Sequence, residues 1–571
     1  MATNRATLLG GTVLAIMMAI GSAGAAMADP ALDSALQNPD NWSMYGHDYT
    51  NDRYSTLKQI NADNVGNLKL AWAFQLGTTE AQEASPIVVD GTLYVSSSSG
   101  PTHVFALDAA TGQIKWQYDP KVAADVPPYV CCGLDSRGVS FADGKILFST
   151  LDGHLVALDA KTGKEVWSAK VVDYKDGAAI TSPPLIVKNM AIIGYAGGEY
   201  GMRGALQAYD LATGKQLWKT WTIPGPGQHG NDTWKGDSWK HGGGNAWLVG
   251  SYDPKTNTVF YGTSNPGPWN AAVRSTGTSN YGKLTNAGSS ATLAIDPDNG
   301  HIKWEIQSTP ADAWDYDGVN ELVLGDVPID GHDTPIYMKA DRDGFFFVAN
   351  RDTGKLISAN PFVPVNWAKS FNAATDRPVE DPAKRPRLGY KATDICPAWV
   401  GGKNWQPMSF NPETGLAYIP ANNTCQTMEA TKIDYHKGMF YLGNDFSVQP
   451  GHGGYLGQLL AWNPVTQKAA WAINRPLPWN GGTMTTAGNL VLQGDIQGVF
   501  HAYDAKTGKE LFHKFLGSGI IAGPVTFAAD GKQYIAILSG RPSGPPAFMG
   551  EAGKQILSAT PPGGTLFVFS E

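Results

Sequence analysis

Four cysteines are the residues of this sequence whose type and spacing point first to chemistry. Cys131 and Cys132 are neighbours, whereas Cys396 and Cys425 are far apart and are expected to form a structural disulfide. A disulfide between the two neighbours would close a small ring and strain the peptide, so it would need a functional reason. Two free or separately paired thiols are the alternative. Because neither pair lies in a Cys-x-x-Cys-His motif, no covalently attached haem is predicted.

The elements that must position this chemistry are marked by a repeated motif. It reads as a small residue, any residue, Asp or Asn, two residues, Thr-Gly, three residues and Trp, as in ALDAKTGKEVW. Strong and weaker copies begin at Ala106, Ala157, Ala208, Ala294, Val348, Ala461 and Ala502. In each copy the Asp or Asn would bond the turn backbone and Gly would supply a positive φ. The motif therefore predicts a strand, a tight turn and a return strand.

The intervals between copies predict how the strands are grouped. The strong copies are evenly spaced, whereas two later gaps are about twice as long and contain the hairpin-like segments that begin at Ser251 and Ser409. We interpret these two segments as other turns within longer blades. Asn67–Leu76 resembles the strand after a turn and Gly564–Ser570 the strand before one, so the chain ends are expected to pair as a further blade.

The predicted fold class is all-β, an eight-bladed β-propeller in which Trp-ended motifs dock the blades. A closed ring leaves no long exposed sheet edge, which suits a large all-β chain. Residues 29–571 would form this single domain. Separate β-sandwich domains are the alternative, and the absence of any linker in the sequence argues against them.

Composition agrees with this fold and excludes other classes. Of 571 residues, 42% are hydrophobic and 16% charged, and 67 Gly, 37 Pro and 18 Trp suit many short strands joined by turns. The low charged fraction argues against a disordered or coiled-coil protein. With a net charge of −8 and no basic stripe, nucleic acid is not an expected partner.

The first 28 residues are expected to be a cleaved secretory signal. Arg5 precedes an apolar stretch over residues 8–20, and Ala26-Met27-Ala28 forms an A-x-A cleavage site before Asp29. A membrane anchor is the alternative, but the apolar run is shorter than ~20 residues and contains glycines. The sequence therefore predicts an exported chain without a membrane span.

A family resemblance is carried by CCGLDSRG at 131–138 and WDYDGVNE at 314–321, together with the predicted propeller. In these features the sequence resembles the quinoprotein alcohol dehydrogenases, which are periplasmic enzymes that use pyrroloquinoline quinone and a metal ion. The resemblance covers nearly the whole mature chain. The turn motif alone is shared with non-enzymatic propellers, so the cysteine pair and the acidic segment make the resemblance specific.

The resemblance implies a set of contacts to the quinone. A Cys131–Cys132 disulfide would lie on one face of its ring, and Trp247 would stack on the other. Arg342 would lie near the reactive carbonyl, where it could stabilise developing charge. The other positions implied to bind the cofactor are Glu83, Arg137, Thr181, Gly197, Gly198, Asn404, Trp405 and Trp479.

The resemblance also implies a metal site built from oxygen donors. Glu199, Asn265 and Asp315 would bind a large, hard cation, and Asp315 would also act as the general base. Asp317 adds a further carboxylate, which favours a lanthanide(III) ion over Ca²⁺ on Coulomb grounds. Ca²⁺ is the alternative metal, with Asp317 then a solvated turn residue. Trp269 would form an aromatic wall of the substrate pocket.

The implied reaction is the oxidation of an alcohol to an aldehyde or ketone by hydride transfer to pyrroloquinoline quinone, with the metal as Lewis acid. Because the sequence has no haem motif, a separate periplasmic c-type cytochrome would accept the electrons. A homodimer is left open. One alternative is a calcium-dependent quinoprotein dehydrogenase for bulky secondary alcohols, polyols or sugars. Another is a non-catalytic propeller that serves as a binding scaffold.

Overall fold

The computed structural model describes Met1, residues 29–372 and residues 374–571. The predicted signal segment, apart from Met1, lies outside the described residues. Two α-helices are described, α1 Pro30–Gln37 and α2 Gly550–Ala559. Short 3₁₀ helices cover Val65–Asn67, Pro127–Tyr129, Tyr174–Asp176, Gly198–Tyr200, Asn231–Thr233, Ser238–His241, Pro382–Lys384 and Pro545–Phe548. Neither α-helix is long and apolar enough to cross a membrane.

Strands account for most of the regular secondary structure in the described chain. In the first half they are β1 Tyr54–Ser55, β2 Lys69–Gln75, β3 Ile87–Val89, β4 Thr92–Ser96, β5 Val104–Asp108, β6 Ile114–Tyr118, β7 Ser140–Ala142, β8 Lys145–Ser149, β9 His154–Asp159, β10 Glu165–Lys170, β11 Leu185–Val187, β12 Met190–Ile193, β13 Ala205–Asp210, β14 Gln216–Trp221, β15 Ser251–Asp253, β16 Thr258–Gly262, β17 Ala291–Ile295, β18 Ile302–Gln307 and β19 Val323–Ile329. In the second half they are β20 His332–Ala340, β21 Phe345–Asn350, β22 Leu356–Pro361, β23 Ala368–Asn372, β24 Arg377–Glu380, β25 Ala392–Ile395, β26 Ser409–Asn411, β27 Leu416–Asn422, β28 Thr424–Ala430, β29 Asn444–Pro450, β30 Gly457–Asn463, β31 Lys468–Arg475, β32 Thr483–Thr486, β33 Leu490–Gly494, β34 Val499–Asp504, β35 Glu510–Phe515, β36 Val525–Ala529, β37 Lys532–Ser539 and β38 Thr565–Ser570.

The fold is an all-β propeller made of repeated sheets, which are antiparallel except where β1 pairs parallel with β32. Over residues 29–372 and 374–571, eight sheets have four or five strands: β3–β6, β7–β10, β11–β14, β15–β18, β19–β22, β26-β27-β30-β31, β1 with β32–β35, and β36-β37-β38-β2. The segments at Ser251 and Ser409 are the first hairpins of two of these sheets, which confirms that they belong to longer repeats. Two smaller sheets, β23-β24 and β25-β28-β29, are inserted between β22 and β30.

The two ends of the chain meet in one sheet. Strand β2 pairs antiparallel with β38 from Lys69 opposite Ser570 to Gln75 opposite Thr565. This confirms the expected pairing of the segments near residues 67–76 and 564–570. Both strands therefore have their backbone hydrogen bonds satisfied by a partner from the opposite end of the sequence.

Six of the seven turn motifs contact the tryptophan of the sheet before them. The copy at Ala461 does not, because it has Gln467 in place of the glycine and the preceding motif ends in Ser358. In the turn after β9, Asp159 Oδ1 accepts hydrogen bonds from Thr162 N and Oγ1 at 2.8 and 2.7 Å, and Gly163 has φ +68°. Trp116 Nε1 donates to Ala160 O at 2.9 Å, and a Cβ on Gly163 would lie 2.7 Å from its ring. The same ring-to-glycine contact joins Trp72 to Gly112, Trp167 to Gly214, Trp218 to Gly300, Trp304 to Gly354, and Trp471 to Gly508. These contacts connect neighbouring sheets.

The segment before β1 crosses the first strands of several sheets. Its carbonyls at Tyr49, Thr50, Asp52 and Arg53 accept hydrogen bonds from residues 252, 324, 410 and 485, which belong to β15, β19, β26 and β32. The side chain of Arg53 is 0% exposed. The segment therefore ties together sheets that are distant in sequence. Arg53 Nη1 also donates a hydrogen bond to Ser85 Oγ, in the loop before β3.

Candidate functional site

A cavity lies where the segments before the first strands of the sheets converge. Seven such segments, which precede β3, β7, β11, β15, β19, β26 and β32, contribute Glu83, Arg137, Thr181, Trp247, Asp317, Asn404 and Trp479 to its lining. The other lining residues anticipated from the sequence are Cys131, Cys132, Gly197, Glu199, Arg342 and Trp405. The propeller thus brings residues from most of the chain into one site.

Disulfide and aromatic surfaces form parts of the cavity wall. Cys131 and Cys132 are bonded to each other, as are Cys396 and Cys425 elsewhere in the fold. The guanidinium carbon of Arg137 lies 5.1 Å from the ring centroids of both Trp247 and Trp405. Flat aromatic rings beside a guanidinium group suit a planar ligand that carries negative charge.

Arg137 is the centre of a buried polar group at one part of the cavity. Its Nη2 lies 2.7 Å from Glu83 Oε2, and its Nη1 donates a hydrogen bond to Thr181 Oγ1 at 2.5 Å. Asp135 Oδ2 lies farther from Nη2, at 3.8 Å. Burial raises the pKa of both carboxyl groups, and Arg137 offsets this only in part. One guanidinium therefore serves two buried acids.

A second polar group contains three carboxylates around Arg342. Asp317 Oδ2 lies 3.2 Å from Arg342 Nη2, and Asp315 Oδ2 lies 3.6 Å from Nη1. Burial and the nearby Asp317 raise the pKa of Glu199 to about 7. Burial and Asp317 also raise the pKa of Asp315 well above its usual value, and Arg342 opposes that shift. The excess of buried negative charge favours a bound cation.

Asp317 is held by donors from two other segments. Its Oδ1 accepts a hydrogen bond from the backbone N–H of Asn265 at 2.6 Å, and its Oδ2 accepts one from Trp247 Nε1 at 3.1 Å. Trp247 therefore connects the aromatic wall to the carboxylate group. A solvated turn role for Asp317 is wrong, because the residue is 2% exposed.

Unpaired polar atoms indicate what the cavity can bind. Buried atoms without a hydrogen-bond partner include Asn265 Oδ1, Asp315 Oδ1, Arg342 Nε, Trp405 Nε1 and Trp479 Nε1. Leaving such groups unpaired costs about 1–3 kcal/mol each. Oxygen donors beside excess negative charge fit a hard cation, and N–H donors beside flat rings fit a planar acceptor. The donor set is therefore compatible with a quinone cofactor and a metal ion.

Some anticipated residues lie beside the cavity rather than on its lining. Gly198 is close to Asn265, since a Cβ on Gly198 would lie 3.7 Å from Asn265 Oδ1. Asp315 is not on the lining, but its Oδ2 lies 3.6 Å from Nη1 of Arg342, which is. Trp269 packs on Phe446 with ring centroids 5.4 Å apart, and Phe446 contacts Trp399 at 6.3 Å. Because Trp399 lines the cavity, these contacts connect Trp269 to the cavity wall through Phe446.

Several lining residues were not anticipated from the sequence. They are Asp135, Gly177, Ala179 and Trp399, and Ala196 and Pro545 complete the lining. Asp135 lies within CCGLDSRG and could have been found by asking which acids share that segment with the cysteine pair. Pro545 begins a short helix that leads into α2, and Trp399 lies in the inserted region, where no repeat marks it.

Comparison with known proteins gives consistent matches over nearly the whole chain. The sequence matches the family described as "PQQ: Glucose/ethanol/alcohol dehydrogenase, beta-propeller domain" over residues 42–368 and 454–535. It is 41% identical to a lanthanide-dependent methanol dehydrogenase of Methylacidiphilum fumariolicum, over 98% of this chain and 97% of that protein. It is 39% identical to a quinoprotein alcohol dehydrogenase of Pseudomonas putida, over 98% of this chain and 95% of that protein. A europium-containing methanol dehydrogenase structure has a TM-score of 0.89 and 41% identity, and the match covers 95% of this chain and 100% of that one.

Proposed function

The chain belongs to the glucose/ethanol/alcohol dehydrogenase β-propeller family, and from this premise we propose that it oxidises alcohols to aldehydes or ketones with pyrroloquinoline quinone. A quinone and a metal ion are expected for this family. The observation that carries the proposal is the single cavity that joins a bonded cysteine pair, aromatic rings and the Arg342 carboxylate group. We also propose that the eight large sheets are the blades of one closed propeller, docked by the Trp–Gly contacts.

The residues around Arg137 bind and orient the cofactor in this proposal. Arg137 and Thr181 hold its anionic groups, while the Cys131–Cys132 disulfide and Trp247 hold its plane. Trp405 and Trp479 each bring an unpaired indole N–H to the cavity, which suits a ligand rich in carbonyl oxygens. The cofactor supplies the two-electron acceptor and the metal a Lewis acid.

Arg342 and the carboxylate of Asp315 beside it hold and move the substrate proton. Asp315 Oδ1 has no hydrogen-bond partner and is therefore available to accept the proton of an alcohol hydroxyl. Arg342 stabilises negative charge that develops near its Nη atoms and its unpaired Nε. Burial of Asp315, Asp317 and Arg342 excludes water, which strengthens these interactions.

The metal is a lanthanide(III) ion in this proposal, held by Glu199, Asn265, Asp315 and Asp317. Three carboxylates with one nearby guanidinium leave a net negative charge that stabilises a trivalent ion more than Ca²⁺. The similarity to a lanthanide-dependent methanol dehydrogenase supports the same choice. Ca²⁺ is the alternative that the experiment below separates.

The proposed setting is the periplasm, with a cleaved signal in residues 1–28. A separate c-type cytochrome accepts the electrons, because the 571 residues contain no Cys-x-x-Cys-His motif. The substrate is a small-molecule alcohol, and a panel from methanol to bulky secondary alcohols, polyols and sugars would define its size.

The test is reconstitution of the apo-protein with pyrroloquinoline quinone and either La³⁺ or Ca²⁺, followed by dye reduction with that panel. We expect alcohol oxidation with La³⁺. Asp317→Ala should weaken La³⁺ activation by about tenfold or more, because it removes one unit of negative charge. Asp333→Ala, which removes an exposed carboxylate on β20, is the matched control and should behave as wild type.

Each outcome of this test has a defined meaning. Activity with Ca²⁺ alone would keep the enzyme and discard the lanthanide. Failure to bind quinone with either metal would contradict the proposed function and favour a non-catalytic scaffold.

A further inference from the structure

Asp135 is a buried acid of the cavity that the proposed chemistry does not use. Its side chain lines the cavity and the residue is 4% exposed. Its Oδ1 is buried without a hydrogen-bond partner, and its Oδ2 lies 3.8 Å from Arg137 Nη2, beyond hydrogen-bond distance. Asp135 therefore faces a ligand site with unsatisfied hydrogen-bonding capacity.

The nearest cation is already engaged by other groups. Arg137 makes its short contacts to Glu83 Oε2 and Thr181 Oγ1. The negative charge of Glu80 raises the pKa of Asp135 further. Glu80 itself accepts a hydrogen bond from Ser543 Oγ at 2.8 Å. Burial is the main cause of that raised pKa. Glu199, Asp317 and Arg342 are the remaining charged groups that line the same cavity.

Gly133, which follows the disulfide directly, makes room for the Asp135 carboxyl group. Gly133 has φ +125°, and a Cβ built on it would lie 2.8 Å from Asp135 Oδ1. The turn that follows Cys132 thus leaves room for this carboxyl group only because residue 133 has no side chain. Asp135 Oδ1 therefore occupies the space that a side chain at residue 133 would fill, beside the cysteine pair and on the cavity lining.

We propose that Asp135 is protonated when the quinone cofactor is bound, and that its O–H donates a hydrogen bond to a cofactor oxygen, so that binding takes up a proton. This inference rests on the proposed function. Two anions in a cavity of low dielectric repel strongly, whereas a carboxylic acid removes the repulsion and supplies a donor. The proton comes from solvent and is returned to it when the cofactor leaves.

The sign of the pH dependence follows from this linkage. The bound state holds a proton that free Asp135 loses as pH rises, so affinity is highest at low pH. Above the pKa of free Asp135, affinity should fall by about tenfold per pH unit for the one proton taken up. Without this carboxyl group that component of the pH dependence disappears.

Calorimetric titration of the metal-loaded apo-protein with pyrroloquinoline quinone tests the proposal directly. Measurements between pH 7 and 9, in buffers of different ionisation enthalpy, count the protons taken up. Wild type should take up about one proton more than Asp135→Asn, and the variant should bind more tightly at the upper end of the range. Asp135→Ser serves as a second variant in case the amide disturbs folding, which an unfolding transition will report.

Glu83→Gln is the control for the other acid beside Arg137. The difference of one proton between proteins with and without Asp135 should persist in this background. Equal proton uptake by wild type and both Asp135 variants would overturn this inference alone. Absence of quinone binding at every pH in wild type would overturn the proposed cofactor and this inference together, so the two failures are distinguishable.

Discussion

Two carboxylates that are neighbours in sequence have different freedom in the site. Both oxygens of Asp317 accept hydrogen bonds, from Asn265 N and from Trp247 Nε1. Asp315 Oδ1 has no partner, and Asp315 Oδ2 is 3.6 Å from Arg342 Nη1. A general base needs a free lone pair, whereas a group held from two sides is better suited to fix a metal and a ring. In the proposed site both residues hold the metal, and only Asp315 has the free oxygen that a general base needs.

Substitution of Asp315 tests that separation. Asp315→Asn keeps the shape of the side chain and removes the proton acceptor, so kcat should fall by roughly 10²–10⁴-fold. Quinone binding, measured from the cofactor's absorbance, should persist because Arg137, Thr181 and Trp247 are unchanged. A kcat within a few-fold of wild type, with cofactor bound, would assign the base to another group.

At the scale of elements, the repeated turns could be predicted because their signal is local. Asp159, Thr162 and Gly163 lie within five residues and together determine the turn by side-chain hydrogen bonds and a positive φ. The pairing of Trp116 with Gly163 joins different sheets, and the periodic spacing of the motifs was its only signal. The β25-β28-β29 sheet and α2 have no repeat, so the sequence did not predict them.

Two glycines with nearly the same backbone conformation allow the docking contact to be measured. Gly163 has φ +68° and Gly144 has φ +66°, but only at Gly163 would a Cβ meet Trp116, at 2.7 Å. Gly144→Ala should cost about 1–2 kcal/mol from the left-handed conformation alone. Gly163→Ala should cost a further ~1–3 kcal/mol from overpacking against the indole. Denaturant unfolding compares the two, and equal losses of stability would show that the indole accommodates the added methyl group without cost.

At the scale of the whole molecule, the sequence predicted most of the residues that line the cavity, but neither the segment that carries Arg53 nor Trp399. Residues of CCGLDSRG and WDYDG meet at one cavity because seven of the eight large sheets contribute the segments described above. The segment that carries Arg53 was not recognised, because its partners are backbone carbonyls such as Thr483 O and Pro524 O. Carbonyl partners leave no residue-type signal in a sequence. Trp399 was not predicted either, because only tertiary packing places it at the cavity.

The pairing of the chain ends makes a prediction about the molecule as a whole. In β38, Leu566 and Val568 are completely buried and Phe569 nearly so, and burial of each such side chain is worth about 1.5–3 kcal/mol. Deletion of residues 565–571 would remove these contacts and expose the edges of β2 and β37, which pair with β38 on either side. An unpaired edge recruits other chains. We therefore expect the deletion to lower the unfolding midpoint strongly and to produce oligomers in size-exclusion chromatography.

Deletion of Glu571 alone, which is exposed and outside the strand, should change neither quantity. A monomeric 565–571 deletion with an unchanged midpoint would mean that the ring is held without its terminal strand.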